Sequence, residues 1–291
     1  MVTDMQGAQQ FIAEVQSGQS LLDVLLAQTG LPEAVLLDAA EKGALWVSLQ
    51  RGKGRTKPRR TRSLDTVVED GSTVMLNYHP SVLAAVPQDI HCVSDHVNYG
   101  IWFKPSGMLC QGSKWSDHTI APQVASRQRQ GSCFIVHRLD RAACGLLVLA
   151  YTKNALRALT SLFEQRAINK HYQATVHGQF DKPLPLQIDT PIETQSAKTV
   201  INTCHIDEAN NTSVLSLSIE TGRKHQIRRH LCDIGYPIVG DRLYDKTRDR
   251  EAHTANLQLV ANQIQFTCPF TSQPVDVAID ASDALAGHVA E

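Results

Sequence analysis

The sequence predicts a mixed α+β protein: a larger domain built on an antiparallel sheet, preceded by a small α/β module. Three observations carry this. Segments of strand character outnumber those of helical character and often follow one another directly, which favours an antiparallel sheet over repeated βαβ units. No glycine-rich phosphate loop follows a strand, so the parallel nucleotide-binding folds lack their signature. A stretch of helix–helix–strand grammar also stands before residues 79–90, "HPSVLAAVPQDI", which carries two prolines and no hydrophobic period. The expected division is a module over 1–78, a linker over 79–90 and a large domain over 91–291.

In chain order, "SLLDVLLAQTG" places Leu21, Leu22, Leu25 and Leu26 at helical spacing and stops at Gly30, with Pro32 beyond; "EAVLLDAAEKG" repeats the pattern up to Gly43. "ALWVSL" reads as a strand, and "STVMLNY" as a second one after the Asp70-Gly71 turn. In the larger domain "HYQATVHG" alternates Tyr172, Ala174 and Val176, and "SVLSLSIE" alternates Leu215, Leu217 and Ile219. Between them in character, "KNALRALTSLFEQR" sets Leu156, Leu159, Leu162 and Phe163 three and four residues apart, an amphipathic helix.

Charge is nearly balanced at −1 but unevenly placed. Residues 51–62, "RGKGRTKPRRTR", hold seven basic side chains (Arg51, Lys53, Arg55, Lys57, Arg59, Arg60 and Arg62) and no acid. Such a run is either a contact for a polyanion such as RNA or an ordinary solvated loop. The seven cysteines are odd in number and include no C-x-x-C pair, so neither a disulfide framework nor a zinc cluster is expected. A reducing cytoplasm fits that usage, and no apolar run approaches the roughly 18 residues of a membrane span. A cytoplasmic monomer with no obligate protein partner is expected.

Two stretches carry chemistry. "HRLDRAACGLLVLA", 137–150, sets Asp140 in a polar break between the apolar runs Phe134–Val136 and Leu146–Ala150. A carboxylate at the lip of a core is turned to water, paired with a cation, or kept for chemistry. "ETGRKHQIRRHLCDIGYPIVGDRLYD", 220–245, reads as a short helix with Thr221 as N-cap, an apolar stripe of Ile227, Leu231 and Ile234, and a stop at Gly235. Arg228 falls at the margin of that stripe, where its guanidinium can enter a cleft. An ion pair between Arg228 and Asp140 would hold the carboxylate charged, since Coulomb attraction at ~4 Å and an effective dielectric of ~20 is about 4 kcal/mol. An aimed, ionised carboxylate is a nucleophile or a general base. His225, His230 and Asp241 could be imagined as a metal site, but His225 and His230 are five apart and lie on different faces of the helix, and no metal is expected.

Both stretches resemble motifs of the RluA-type pseudouridine synthases, H-R-L-D-x-x-[TS]-[ST]-G-L and T-G-R-x-H-Q-I-R-x-H-L. "KPSG" (104–107) and "KHYQATVHG" (170–178) are similar to that family's opening and middle motifs, in the family's order. Ala143 and Cys144 depart from it, standing where Thr or Ser is usual. The resemblance implies a mixed, mainly antiparallel sheet around a central cleft, and isomerisation of uridine in ribosomal or transfer RNA without a cofactor. It further implies that Asp140 is the essential carboxylate, Arg228 its partner, Tyr172 a group acting at the base, and Arg138 a hold on the extruded nucleotide. The N-terminal module resembles a small RNA-binding module found in many members. On it the basic loop would contact phosphates through Lys53, Arg55, Lys57, Arg59, Arg60 and Arg62. The rival readings are a non-catalytic RNA-binding or ribosome-assembly factor that kept the fold, and a metal-dependent hydrolase.

Overall fold

The computed structural model describes residues 7–16, 18–246 and 255–286. The chain forms two compact units, one of Met1–Gln88 with Gln111–Val124, the other of Asp89–Cys110 with Ala125–Glu291.

The first unit holds β1 (Gln9–Glu14), α1 (Leu21–Thr29), α2 (Glu33–Glu41), β2 (Leu45–Ser48), β3 (Gln50–Arg51), β4 (Gly54–Arg55), β5 (Arg59–Arg60), β6 (Thr73–Tyr78) and α3 (Pro80–Leu83). Helix α1 begins where the Ser20 hydroxyl accepts the Asp23 amide and the Asp23 carboxylate accepts the Ser20 amide. It ends at Gly30, whose positive φ of 66° suits a residue without a Cβ. The two helices bury Leu21, Leu25, Leu36 and Ala39 against Leu45, Val74 and Leu76 of an antiparallel sheet ordered β1-β6-β2-β5.

Three features differ from the sequence reading. Strand β1 was not foreseen, because it is an edge strand that half-buries only alternate side chains. The 79–90 stretch is not featureless, since α3 forms in it and buries Leu83. Finally, the 91–291 segment is not one contiguous body, because Gln111–Val124 folds with the first unit. There the Asp117 amide and the Ser116 hydroxyl both donate to the Lys42 carbonyl, and Trp46 Nε1 donates to the Lys114 carbonyl.

The second unit comprises β7 (His91–Asp95), β8 (Tyr99–Lys104), α4 (Ala121–Arg129, which begins in the first unit), β9 (Phe134–Ile135), β10 (Cys144–Ala150), α5 (Lys153–Glu164), β11 (Ile168–His177), β12 (Leu186–Ile188), β13 (Thr199–Asp207), β14 (Thr212–Ile219), α6 (Gln226–Asp233), β15 (Leu259–Thr267), β16 (Pro274–Ala278) and α7 (Ala281–Ala286). Among the described residues its ten strands form one sheet, β12-β13-β14-β11-β15-β10-β8-β7, with β16 on β15 and β9 on β10. Strands β10 and β15 pair in parallel and the other neighbours antiparallel, the mixed α+β sheet expected. Gly145 makes the parallel junction possible: a Cβ there would stand 2.3 Å from the Ala261 carbonyl oxygen. The amphipathic helix α5, capped by the Thr152 hydroxyl, packs Ala155 and Leu159 into a core with Tyr99, Ile101, Val148 and Ile264.

Candidate active site

The loop that carries Asp140 joins β9 to β10 and is held from below by the Lys104–Gly107 turn. Lys104 is fully buried, and its ammonium donates to the carbonyls of Pro105, Met108, Arg141 and Ala143 at 2.6–3.4 Å. Ser106 Oγ donates to the Ala142 carbonyl, the Gly107 amide donates to the Arg141 carbonyl, and the Gly107 carbonyl accepts Arg141 Nε in return. The KPSG and HRLD motifs are thus two sides of one hydrogen-bonded clasp. Burial pushes the Lys104 ammonium down to about 8, against the pull of the Cys110 and Cys144 sulfurs and of Asp140.

His137 pins the other end of the loop, since its Nε2 accepts the Val148 amide and its ring stacks on Phe163 with centroids 4.4 Å apart. Burial first, and the nearby Lys170 charge second, push this imidazole down to about 3, so it is neutral and accepts.

The Asp140 side chain, 24% exposed, lies between two side chains of the 220–245 stretch: Arg228 Nη1 is 3.6 Å from Oδ2 and His225 Nε2 is 3.8 Å from Oδ1. The guanidinium does not give its fork to Asp140. Nε and Nη2 of Arg228 donate to Asp241 at 2.8 and 2.7 Å, and Asp241 also accepts the Leu243 and Tyr244 amides. Burial opposes the charged forms of this pair, but their mutual attraction prevails: Arg228 is raised and Asp241 lowered from their ordinary values. The Tyr244 ring lies 5.1 Å from the Arg228 guanidinium, and its hydroxyl is 2.9 Å from His225 Nδ1.

Helix α6 starts later than the sequence suggests. Thr221 is not its N-cap. Instead its hydroxyl donates to Gln226 Oε1, which also accepts the Arg223 amide, and His225 precedes the helix in the left-handed region at φ 55°. That turn is what brings His225 and Arg228 to bear on the same carboxylate. Burial lowers the His225 imidazole, with Arg228 and Lys224 adding to the effect and Asp140 opposing it.

Tyr172 lies on β11 at a register shift between His171 and Tyr172 against β15. It is 8% exposed, and burial followed by the Asp140 charge raises its phenol well above the usual tyrosine range. The phenol therefore keeps its proton through neutral pH and serves as a donor or an apolar platform. Arg138 is exposed on the same loop as Asp140. Beside the site a cleft of about 640 Å³ is walled by Ser106, Gly107 and Arg141 on one side and His225, Arg228 and Leu243 on the other.

The basic loop belongs to the first unit and is only partly free to bind. Asp117 accepts Arg60 Nη1 and Arg62 Nη2, each at 2.6 Å, and Glu14 accepts Arg55 Nη2 at 2.7 Å. Arg51, Lys53, Lys57 and Arg59 have no carboxylate partner among the described residues. Among the described residues, no group of three His, Cys, Asp or Glu side chains could hold a metal ion. Both ring nitrogens of His230 are taken up by Thr199 Oγ1 and the Thr190 carbonyl. No helix among the described residues is long and apolar enough to cross a membrane.

Sequence reasoning missed Asp241 and His225 as parts of this cluster. A signal for Asp241 was present: an acid directly after the apolar Ile238-Val239-Gly240 run has to find a cation.

Comparison with known proteins places the chain in a family. A family model described as RNA pseudouridylate synthase matches residues 98–232. The dual-specificity RNA pseudouridine synthase RluA of Pasteurella multocida is 31% identical over 198 residues, covering 64% of this chain and 89% of that one. The ribosomal large subunit pseudouridine synthase C of Haemophilus ducreyi is 29% identical over 90% of this chain and 88% of that one. The solved structure of human RNA pseudouridylate synthase domain containing 1 shares the fold, with a TM-score of 0.56 at 20% identity over 67% of this chain and 85% of that one.

Proposed function

The chain belongs to the RluA-type RNA pseudouridine synthases, which are isomerases, and on that premise we propose that it converts uridine to pseudouridine in structured ribosomal or transfer RNA, with Asp140 as the catalytic carboxylate. The observation that supports Asp140 in this role is its setting: recessed but still partly open to solvent, with Arg228 at one oxygen and His225 at the other.

The reaction breaks the bond from ribose C1′ to uracil N1, turns the base, and forms a bond from C1′ to C5. The proton leaves C5 and N1 gains one, so atoms and electrons balance with no redox partner. Asp140 assists either by attacking the sugar or the ring, or by abstracting a sugar proton to give a glycal. Arg228 aims the carboxylate, and Tyr172 meets the base from the protein interior. A stacked uridine is out of reach of a recessed carboxylate, so it must be flipped out at a cost of a few kcal/mol, and Arg138 stands on the loop where the vacated stack or the backbone would be held. A single chain working in the cytoplasm, where ribosomal and transfer RNA reside, completes the reading.

The test is release of tritium from C5 of uridine in transcribed ribosomal and transfer RNA, with EDTA present. Release by the wild type that Asp140→Asn abolishes is the expected result. Binding of these RNAs without release by the wild type would make the protein a non-catalytic binder, and cleavage of the RNA seen only when EDTA is omitted would make it a metal-dependent hydrolase.

A further inference from the structure

The first unit carries a groove that the isomerase reading does not use. It measures about 420 Å³, within the size range of ligand pockets. Its apolar floor is Val47, Leu49 and Val68, and the rest of its lining is Arg51, Arg59, the Asp117-bound Arg60 and three threonines. The strand register explains part of the combination. Val47 of β2 pairs directly with Arg59 of β5, so both side chains project from one face of that pair, while Leu49 follows the end of β2 and Arg51 lies on β3, which pairs with β4 in a separate two-stranded sheet. Val47 is buried in the module core, while Leu49 and Val68 pack against that core and remain partly open. The groove thus has an apolar base and cations at its edge. Arg55, Arg60 and Arg62 of the same run are held by Glu14 and Asp117, whereas Arg51 and Arg59, flanked by Lys53 and Lys57, have no carboxylate partner among the described residues.

We propose that this groove is a binding pocket for one unpaired nucleotide of the RNA, remote in sequence from the target-uridine site, with the base on Val47, Leu49 and Val68 and its phosphates between Arg51 and Arg59. The proposal rests on RNA being the partner. An apolar floor rimmed by guanidinium groups matches a base with its attached phosphate better than a duplex, whose bases are stacked away and whose phosphates alone are presented. A free anion would gain nothing from the apolar floor.

The test uses the full chain and a fluorescent nine-nucleotide single-stranded RNA containing no uridine, so that the isomerase reaction plays no part. A second oligomer has the same backbone with abasic sites at its three central positions. Wild-type protein is expected to bind the intact oligomer about tenfold more tightly than the abasic one. Leu49→Asn with Val68→Asn, shown to be folded by thermal unfolding, is expected to reduce that preference to about twofold or less. Arg51→Gln with Arg59→Gln, both exposed and safe for folding, is expected to retain the preference while lowering the slope of log affinity against log salt by about 1.4, two contacts at about 0.7 each. Equal binding of the two oligomers by wild type, or a preference untouched by the floor variant, overturns the pocket. Binding of inorganic phosphate as tightly as the oligomer would reduce the groove to an anion site and also overturn it. Uridine isomerisation is read separately by label release, so loss of that reading and loss of this one are distinguishable.

Discussion

Arg228 gives the fork of its guanidinium to Asp241 and its remaining nitrogen to Asp140, at 2.7–2.8 Å and 3.6 Å. Asp241 therefore sets where Arg228 stands, and Arg228 in turn sets where Asp140 points. Replacing Asp241 with Asn leaves a buried cation without its counter-charge, at a cost of about 3–5 kcal/mol of stability. Chemical unfolding should show that loss, and label release should fall even at temperatures where the variant is folded. Arg228→Lys should fail to rescue either property, because a point charge cannot bridge two carboxylates as a planar fork does. Asp241 lies below its unfolded value of 3.8. Its contribution is fully present above that value and is lost as pH falls through the lower folded one.

His137 predicts a second acid sensitivity at higher pH. Its imidazole is held neutral at about 3, against 6.5 when unfolded. The unfolded chain therefore binds the extra proton first, and stability should decline as pH falls from 6.5 toward 3. His137→Gln retains an acceptor for the Val148 amide but cannot titrate. Thermal melts across that window should show a flatter pH dependence for the variant than for the wild type.

Lys104 is a structural cation with an opposite pH range. Folding lowers it from 10.5 to about 8, so its charged form is held at a cost that is relieved between pH 8 and 10.5, where stability should rise. Lys104→Met removes that slope but strips the donor from four buried carbonyls, and should cost on the order of 2–4 kcal/mol. Because those carbonyls belong to the two turns beneath Asp140, kcat should fall more than KM rises. Equal effects on the two constants would assign Lys104 to binding instead.

The basic loop should separate into two kinds of residue. Asp117→Asn, or Arg60→Gln with Arg62→Gln, should lower stability by on the order of 2 kcal/mol, since the pair lies mostly out of solvent at Asp117 and Arg60. Lys53→Gln with Lys57→Gln should leave stability within about 0.5 kcal/mol and reduce the salt dependence of RNA affinity. Unfolding curves and binding titrations on the same samples check both halves.

What the sequence allowed to be read, and what it did not, follows from the range of the forces involved. Alternation of Leu215, Leu217 and Ile219 and the helical step of Leu156, Leu159 and Phe163 are local patterns, and β14 and α5 stand where they indicated. Asp140 and Arg228 stood out because each interrupts or borders an apolar pattern. The partnership of Arg228 with Asp241 was not, because it joins a helix to a turn 13 residues later through side chains alone. Thr221 misled for a related reason: a polar side chain further along, Gln226, offered its hydroxyl a better partner than the helix end did. The folding of Gln111–Val124 onto the first unit left no periodic trace either, since one buried carboxylate, Asp117, with the Ser116 hydroxyl donating to the Lys42 carbonyl and the Trp46 indole donating to the Lys114 carbonyl, fixes it.

That last feature makes the amino-terminal portion impossible to detach by a single cut. The polypeptide leaves the first unit after Gln88, comes back at Gln111 and departs again after Val124. A truncation starting at Asp89 would strand Asp117 without either arginine and remove the Lys42 carbonyl that anchors the returning segment. A fragment ending at Gln88 would lack the inserted piece altogether. The two parts are interleaved along the chain, and evolution or an engineer could exchange one for another only by splicing at three places at once.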